Sequence, residues 1–396
     1  MRAGWEVKRL GDVCEIVNGG TPKTGVPEYW DGKHLWITPA EMGKRQSPFV
    51  DDTERKITDL GLRNSSASML PAYSVILSSR APIGHLVINT DPMATNQGCK
   101  GLIPTSNLNF KFLYYYCVSI VDLLNSLGAG ATFKELSGSK LKEVVIPLPS
   151  FPEQQRIVAI LDEAFEGIAT AKANAEKNLK NARALFDSHL NSVFSQRGEG
   201  WEEKSIEQIC SKITDGEHIR PKMVVRGVPF LSAKNVLDDN VFFTDSLFVS
   251  EVDAAKFRKR CNPEQGDILI VSRGATVGRT CVVNTRKIFC LLGSVILLKV
   301  GANYSSHFVA YALKSPAIRN QLMTVSEAAA QPAIYLRDIK PLWIGCPSLT
   351  EQKKIVEQLD FLRAETQPLE SIYQKKITAL DVLKKSILHK AFSGEL

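Results

Sequence analysis

The chain has 396 residues, of which 44% are hydrophobic and 23% charged, with a formal net charge of +7. This is the composition of a globular protein with room for two cored domains. It excludes a transmembrane protein, because no apolar run approaches the roughly 20 residues a membrane helix needs; with no N-terminal signal pattern visible, the cytoplasm is the expected compartment. The eight cysteines (Cys14, Cys99, Cys117, Cys210, Cys261, Cys281, Cys290 and Cys346) have no C-x2-C pair and no histidine at ligand spacing. Neither a zinc site nor a disulfide framework is expected, and the thiols should be free, buried or semi-buried, in a reducing compartment.

In chain order, residues 1–150 form a first globular head. Val75 to Arg80 and His85 to Ile88 predict two strands around a Pro-Ile-Gly turn, and Phe110 to Asn125 predicts a helix. Residues 151–197 are a helical spacer with apolar or small side chains at Ile157, Leu161, Ala164, Ile168, Ala171, Ala175, Ala182 and Leu185. That is a coiled-coil stripe with one seven-residue gap across Asn178. Residues 198–347 form a second head, with strands from Asp267 to Arg273 and Thr280 to Val283 and a helix from His307 to Gln321. Residues 348–396 are a second spacer with the stripe Ile355, Leu359, Leu362, Leu369, Tyr373, Leu380, Leu383 and Ile387. Pro368 lies inside it and predicts a break near Gln367, since proline in a helix costs ~3 kcal/mol.

The two spacers are copies. Pro149-Ser150-Phe151-Pro152-Glu153-Gln154-Gln155-Arg156-Ile157-Val158 returns 198 residues later as Pro347-Ser348-Leu349-Thr350-Glu351-Gln352-Lys353-Lys354-Ile355-Val356. Leu161-Asp162 returns as Leu359-Asp360, and the match continues ungapped through Leu190/Leu388 and Phe194/Phe392. The heads are distant copies at offsets between 192 and 196 residues, as in Trp5/Trp201 and Ser79-Arg80/Ser272-Arg273. The expected fold is therefore mixed α/β (α+β). Two globular heads are joined by two long antiparallel coiled-coil helices in an internal pseudo-twofold repeat. Lys172 to Phe194 would span ~35 Å at 1.5 Å per residue, about one turn of duplex DNA.

Charge points to nucleic acid. The spacer from 153 to 197 is neutral and that from 351 to 396 carries +1, so the heads hold the remaining +6, as phosphate contacts by the heads require. Arg80 and Arg273 each end the first strand of a hairpin beside a glycine-bearing turn, and arginine forks onto guanine or phosphate. Polar loops add Lys23, Thr38, Lys44, Arg45, Asn96, Gln97 and Lys100 in the first head. In the second they add His218, Arg220, Lys222, Lys234, Asn235, Thr276 and Arg279. Asn and Gln suit adenine edges, while Lys and Arg suit guanine or phosphate.

The Trp-x4-Leu-Gly-Asp-Val opening, Gly19-Gly20-Thr21-Pro22, Pro27-Glu28-Tyr29-Trp30, Trp36-Ile37-Thr38-Pro39, Thr95-Asn96-Gln97-Gly98 and Pro147-Leu148-Pro149 before Glu153-Gln154-Gln155-Arg156 together resemble the specificity subunit of type I restriction-modification enzymes. The resemblance covers the whole length, though the second head has Asp215-Gly216-Glu217-His218 where the first has Gly-Gly-Thr-Pro. It implies two target-recognition domains, each reading half of a split, asymmetric site in double-stranded DNA. It also implies helices that set the gap and dock two methyltransferase subunits, with motor-nuclease subunits in the full complex. The family's specificity subunit has no catalytic centre. S-adenosylmethionine, ATP and magnesium are expected on the partners, with no cofactor or metal on this chain.

An enzyme is the competing expectation, but the chain has no Asn/Asp-Pro-Pro-aromatic motif and no Gly-x4-Gly-Lys-Ser/Thr loop. Its six histidines are dispersed. The other alternative is a symmetric helical adaptor that bridges two partner subunits without reading DNA.

Overall fold

The computed structural model describes residues 4–80, 82–130, 134–196, 200–219, 221–238, 240–327 and 333–396. The chain divides into two compact units, one made of Met1–Ala175 with Lys375–Leu396 and the other of Glu176–Gln374. Each unit thus takes one head, part of the central helix Phe151–Ser195 and part of the C-terminal helix Leu349–Ser393.

Among the described residues, the strands of the first unit are β1 (Glu6–Arg9), β2 (Cys14–Asn18), β3 (Trp30–Ile37), β4 (Phe49–Val50), β5 (Arg55–Ile57), β6 (Val75–Ser78), β7 (Leu86–Asn89), β8 (Met93–Thr95), β9 (Cys99–Pro104) and β10 (Val145–Leu148). They form a five-stranded sheet ordered β2-β9-β6-β7-β4, a three-stranded sheet ordered β5-β3-β8, and the antiparallel pair β1-β10. The second unit has β11 (Glu202–Ser205), β12 (Cys210–Asp215), β13 (Val228–Leu231), β14 (Leu247–Val249), β15 (Ile268–Val271), β16 (Thr280–Val282), β17 (Cys290–Leu291), β18 (Val295–Val300) and β19 (Trp343–Cys346). Its sheets repeat the plan as β12-β18-β15-β16, β14-β13-β17 and β11-β19. The expected hairpins are β6-β7 and β15-β16, both antiparallel.

Each expected head helix is interrupted. The first runs Phe110–Ser119, turns at Ile120 and resumes as Val121–Leu127. The second runs Ser306–Lys314, then Pro316–Glu327. Ser315 is extended (ψ 143°) because the proline that follows disfavours helical backbone before it.

The antiparallel pairing of the spacers is fixed by two ion pairs. In the first unit Lys172 Nζ lies 2.7 Å from Asp381, and in the second Arg183 Nε lies 2.9 Å from Glu370. The residue numbers rise on one helix as they fall on the other. The stripe follows Ile157, Leu161, Ile168 and Ala175, then Leu179, Ala182 and Leu190, all buried. Leu179 therefore fills the seven-residue gap, and Leu185 leaves the stripe at 55% exposure. On the C-terminal helix Leu369 and Leu383 also face outward, at 42% and 45% exposure. A helical period of 3.6 drifts against a strict heptad, so leucines chosen on a fixed spacing rotate off the seam.

The break expected near Gln367 does not occur, because Leu349–Ser393 is one helix with Pro368 inside it. Proline removes one backbone donor and crowds the carbonyl four residues back. The adjoining turn holds, with Thr366 Oγ1 donating to the Leu362 carbonyl at 2.9 Å and Glu370 in its ion pair to the central helix.

The cores show why the spacers are copies. In the first unit Leu10, Val75, Phe112 and Leu141 pack with Ile157 and Leu161 from the start of the central helix and Leu388 and Ala391 from the end of the C-terminal helix. In the second, Ile206, Ile268 and Phe308 pack with Ile355 and Leu359 from the start of the C-terminal helix and Leu190 from the end of the central one. Burying one such leucine is worth ~1.5–3 kcal/mol. Each head therefore depends on one helix for its beginning and on the other for its end.

Candidate nucleic-acid interface

The heads are fastened to the helices by buried polar residues of the repeat. Gln154 is fully buried; its Oε1 accepts from Asn109 N at 2.8 Å and its Nε2 donates to the carbonyls of Asn107 and Pro149. Gln352 does the same in the second unit, accepting from Ser305 N at 2.8 Å and donating to the Pro347 carbonyl. Asn109 and Ser305 cap their head helices, so each glutamine ties a helix N-terminus to the first turn of a spacer. One helical level on, Tyr115 Oη donates to Asp162 at 2.6 Å and Tyr311 Oη to Asp360 at 2.5 Å. Burial and then the carboxylate raise both phenol pKa values above the ordinary range.

On that base the first head presents its candidate residues unequally. Lys23 and Gln97 are exposed on loops, and Lys44 is exposed with its Nζ 3.2 Å from Glu54. Arg45 lies 2.6 Å from the buried Glu41, and its Nε is buried without a hydrogen-bond partner. Thr38 caps the short turn Pro39–Met42, and Asn96 Oδ1 accepts from Gly98 N at 2.5 Å. Lys100 is 5% exposed in β9, and desolvation lowers its pKa against the raising effect of Glu135. Arg80 Nε pairs with Glu135 at 3.2 Å.

In the second head Lys222 and Lys234 are exposed. Asn235 is 2% exposed, with its amide donating to the carbonyls of Phe242 and Thr244, so that side chain shapes a loop. Arg279 approaches Asp238 at 3.8 Å and shares with Thr276 the wall of a cavity of about 550 Å³. His218 Nε2 lies 2.9 Å from Asp215, whose other oxygen receives Arg260. Arg273 is exposed, 5.5 Å from the centre of the Tyr335 ring. Arg220 lies outside the described residues.

Strand pairing brings the same four positions together in both heads. In the first, Asn18 pairs with Lys100 and Arg80 bridges to Glu135. In the second, Asp215 pairs with Ile296 and Arg273 bridges to Ala333. The architecture is equal and the side chains are not.

Residues 2–181 and 198–379 each match the family described as "Type I restriction modification DNA specificity domain". The chain belongs to that family. It is a specificity subunit with two target-recognition domains, a recognition component and not itself an enzyme. The resemblance carried by its motifs is thereby borne out. It is similar to the type I restriction enzyme MjaIX specificity subunit of Methanocaldococcus jannaschii, at 28% identity over 99% of this chain and 93% of the relative. It is also similar to the EcoKI specificity subunit of Escherichia coli, at 23% over 99% and 89%. In fold it is similar to a solved chain described under complex assembly and conformational transition of the type I R-M system, with a TM-score of 0.79, 22% identity and coverage of 100% and 99%. The crystal structure of the HsdS subunit from Thermoanaerobacter tengcongensis matches with a TM-score of 0.55, again at 22% identity, over 100% and 98%.

For this specificity subunit, sequence reasoning passed over Gln154, Gln352, Asp162 and Asp360 as functional residues, although their exact repetition was the available signal. It also passed over Tyr335 and Arg337. Their counterparts at the 198-residue offset are Ser137 and Ser139, a departure between flanks that match as Leu136/Ile334 and Ile146/Ile344. Among the described residues no group of three His, Cys, Asp or Glu is placed to hold a metal ion, and no helix is long and apolar enough to cross a membrane.

Proposed function

We propose that each head reads one half of a split, asymmetric site in double-stranded DNA, that the paired helices hold the unspecified gap, and that two methyltransferase subunits dock on those helices. The observation that carries this reading is one topology built twice with unlike side chains around a shared arginine: Glu135 and Lys100 beside Arg80 against Ala333 and Ile296 beside Arg273. A duplicated frame with divergent contacts suits two different half-sites. The +6 excess on the heads suits phosphate contact. Each spacer helix has 45 residues, ~67 Å at 1.5 Å per residue.

Docking is supported by apolar side chains the helices leave uncovered, among them Phe361, Ile372 and Val382 at 69%, 56% and 62% exposure. The methyltransferase partners bring S-adenosylmethionine and transfer its methyl to adenine N6. Motor-nuclease subunits bring the ATP- and magnesium-dependent steps. This chain contributes the address, in the cytoplasm, and binds no cofactor.

The test is to produce the chain with its methyltransferase subunit in cells lacking DNA methylation and map N6-methyladenine across the genome. A motif of two specific parts around a fixed gap, absent when this chain is omitted, is expected. Methylation that proceeds identically without the chain would overturn the reading.

A further inference from the structure

At the position where the first head holds Arg80 against Glu135, the second head has an open cavity of about 350 Å³. Arg273, Tyr335, Arg337, His218 and Asp215 are among its walls, with Ile296 below in place of Lys100. Three features give it a definite chemistry. Arg273 and Arg337 lie 5.5 and 4.9 Å from the centre of the Tyr335 ring, so one aromatic ring holds two guanidinium groups. Ala333 stands where Glu135 stands in the first head, which leaves no carboxylate at that position to occupy Arg273. Asp215, the carboxylate among the named walls, is engaged by His218 at 2.9 Å and by Arg260. The charged donors are Arg273 and Arg337.

A wall of donors selects an edge of acceptors. In the major groove guanine presents two adjacent acceptors, N7 and O6, that a guanidinium fork meets together, whereas thymine presents one acceptor beside a methyl and adenine and cytosine each present an amino donor facing the guanidinium groups. We propose that this cavity is the guanine-reading pocket of the second head, with Arg273 and Arg337 forking onto the base edge and Tyr335 fixing their planes. The first head, with Glu135 on Arg80, reads through different chemistry at the same place. This rests on the proposed function, since it names the residues by which one head reads DNA.

Phosphate is the other acceptor-only partner, and the experiment separates the two. The full chain and its methyltransferase subunits are produced with Arg337→Ala, and the methylated motif is compared with that of the unaltered chain. The Arg337 side chain is 81% exposed and touches only near neighbours in sequence here, the Tyr335 ring and Asp338 at 3.7 Å, so folding does not hang on it. A companion variant, Arg273→Lys, keeps charge and removes the fork. The expected result is relaxation at a guanine position in one half of the motif, with other bases accepted at a tenth or more of the original frequency and the other half unchanged. An unchanged motif in both variants would overturn the pocket. So would a uniform loss of methylation with the motif intact, which marks a backbone contact. If the unaltered chain yields no split motif, the proposed function itself fails, a result distinct from either.

Discussion

Lys172 and Asp381, 2.7 Å apart, are the pseudo-twofold counterparts of Glu370 and Arg183, 2.9 Å apart, with every charge reversed. The 198-residue offset carries Lys172 onto Glu370 and Arg183 onto Asp381. The central helix thus holds both cations and the C-terminal helix both anions. Either helix paired with a copy of itself would bring like charges together, so the pattern favours the pairing of unlike helices. Lys172→Glu with Arg183→Glu should destabilise the paired helices by roughly 1–3 kcal/mol, since exposed pairs contribute little each and their repulsion a similar amount. Adding Asp381→Lys and Glu370→Lys should restore the melting temperature. Thermal unfolding at low and high salt is the check, and a loss of equal size at both would assign the effect to packing instead.

Gln154→Ala should strip partners from one buried donor and two buried carbonyls, a cost of about 2–5 kcal/mol by the usual penalty for unsatisfied groups. The effect should be local. Amide exchange should quicken in the Phe110–Ser119 helix and stay unchanged in Ser306–Lys314, with Gln352→Ala giving the opposite pattern. Exchange that rises equally in both helices would argue against a separate clamp in each unit.

Pro368→Ala should raise the melting temperature, because it returns a donor to an unbroken helix, with ~3 kcal/mol as the upper limit. A fall would mean that the backbone at Pro368 is required in its present form.

Burial pushes the Cys14 and Cys99 thiols up to about 12 and the Cys290 and Cys346 thiols to about 11. At pH 8 a thiol titrating near 12 is thiolate in about one molecule in ten thousand. The native chain should therefore react slowly with a thiol reagent, Cys210 being the least buried, and release all eight thiols once unfolded. Fast native titration of more than one thiol would contradict the packing.

Much of the architecture was legible in the sequence because it is written twice. Gln154/Gln352 and Leu161/Leu359 fix helix starts and core contacts in both units, and residues that must meet the same neighbours twice repeat exactly. Pro368 misled because propensity is local, whereas that helix is held by tertiary packing before and after the proline, Leu359 in the core of the second unit and Leu388 in that of the first. Leu185, Leu369 and Leu383 misled because a heptad count cannot tell a seam from an outward apolar face. The candidate site was legible only in part. Arg80 and Arg273 are equivalent by position, yet what distinguishes them is Glu135 against Ala333, more than fifty residues further along the chain. A difference of that kind is visible only once strands are paired.

The first unit is discontinuous, since its core waits for Leu388 and Ala391, while the second is made from one uninterrupted stretch, Glu176–Gln374. During synthesis from the N-terminus, the second unit has its full complement of core residues first. The head translated earlier must remain unsealed on the ribosome, its apolar face uncovered, until the final turns of the C-terminal helix emerge. Premature arrest between Gln374 and Leu388 would leave the second head with its full core and the first without its own, a natural substrate for chaperones or proteases.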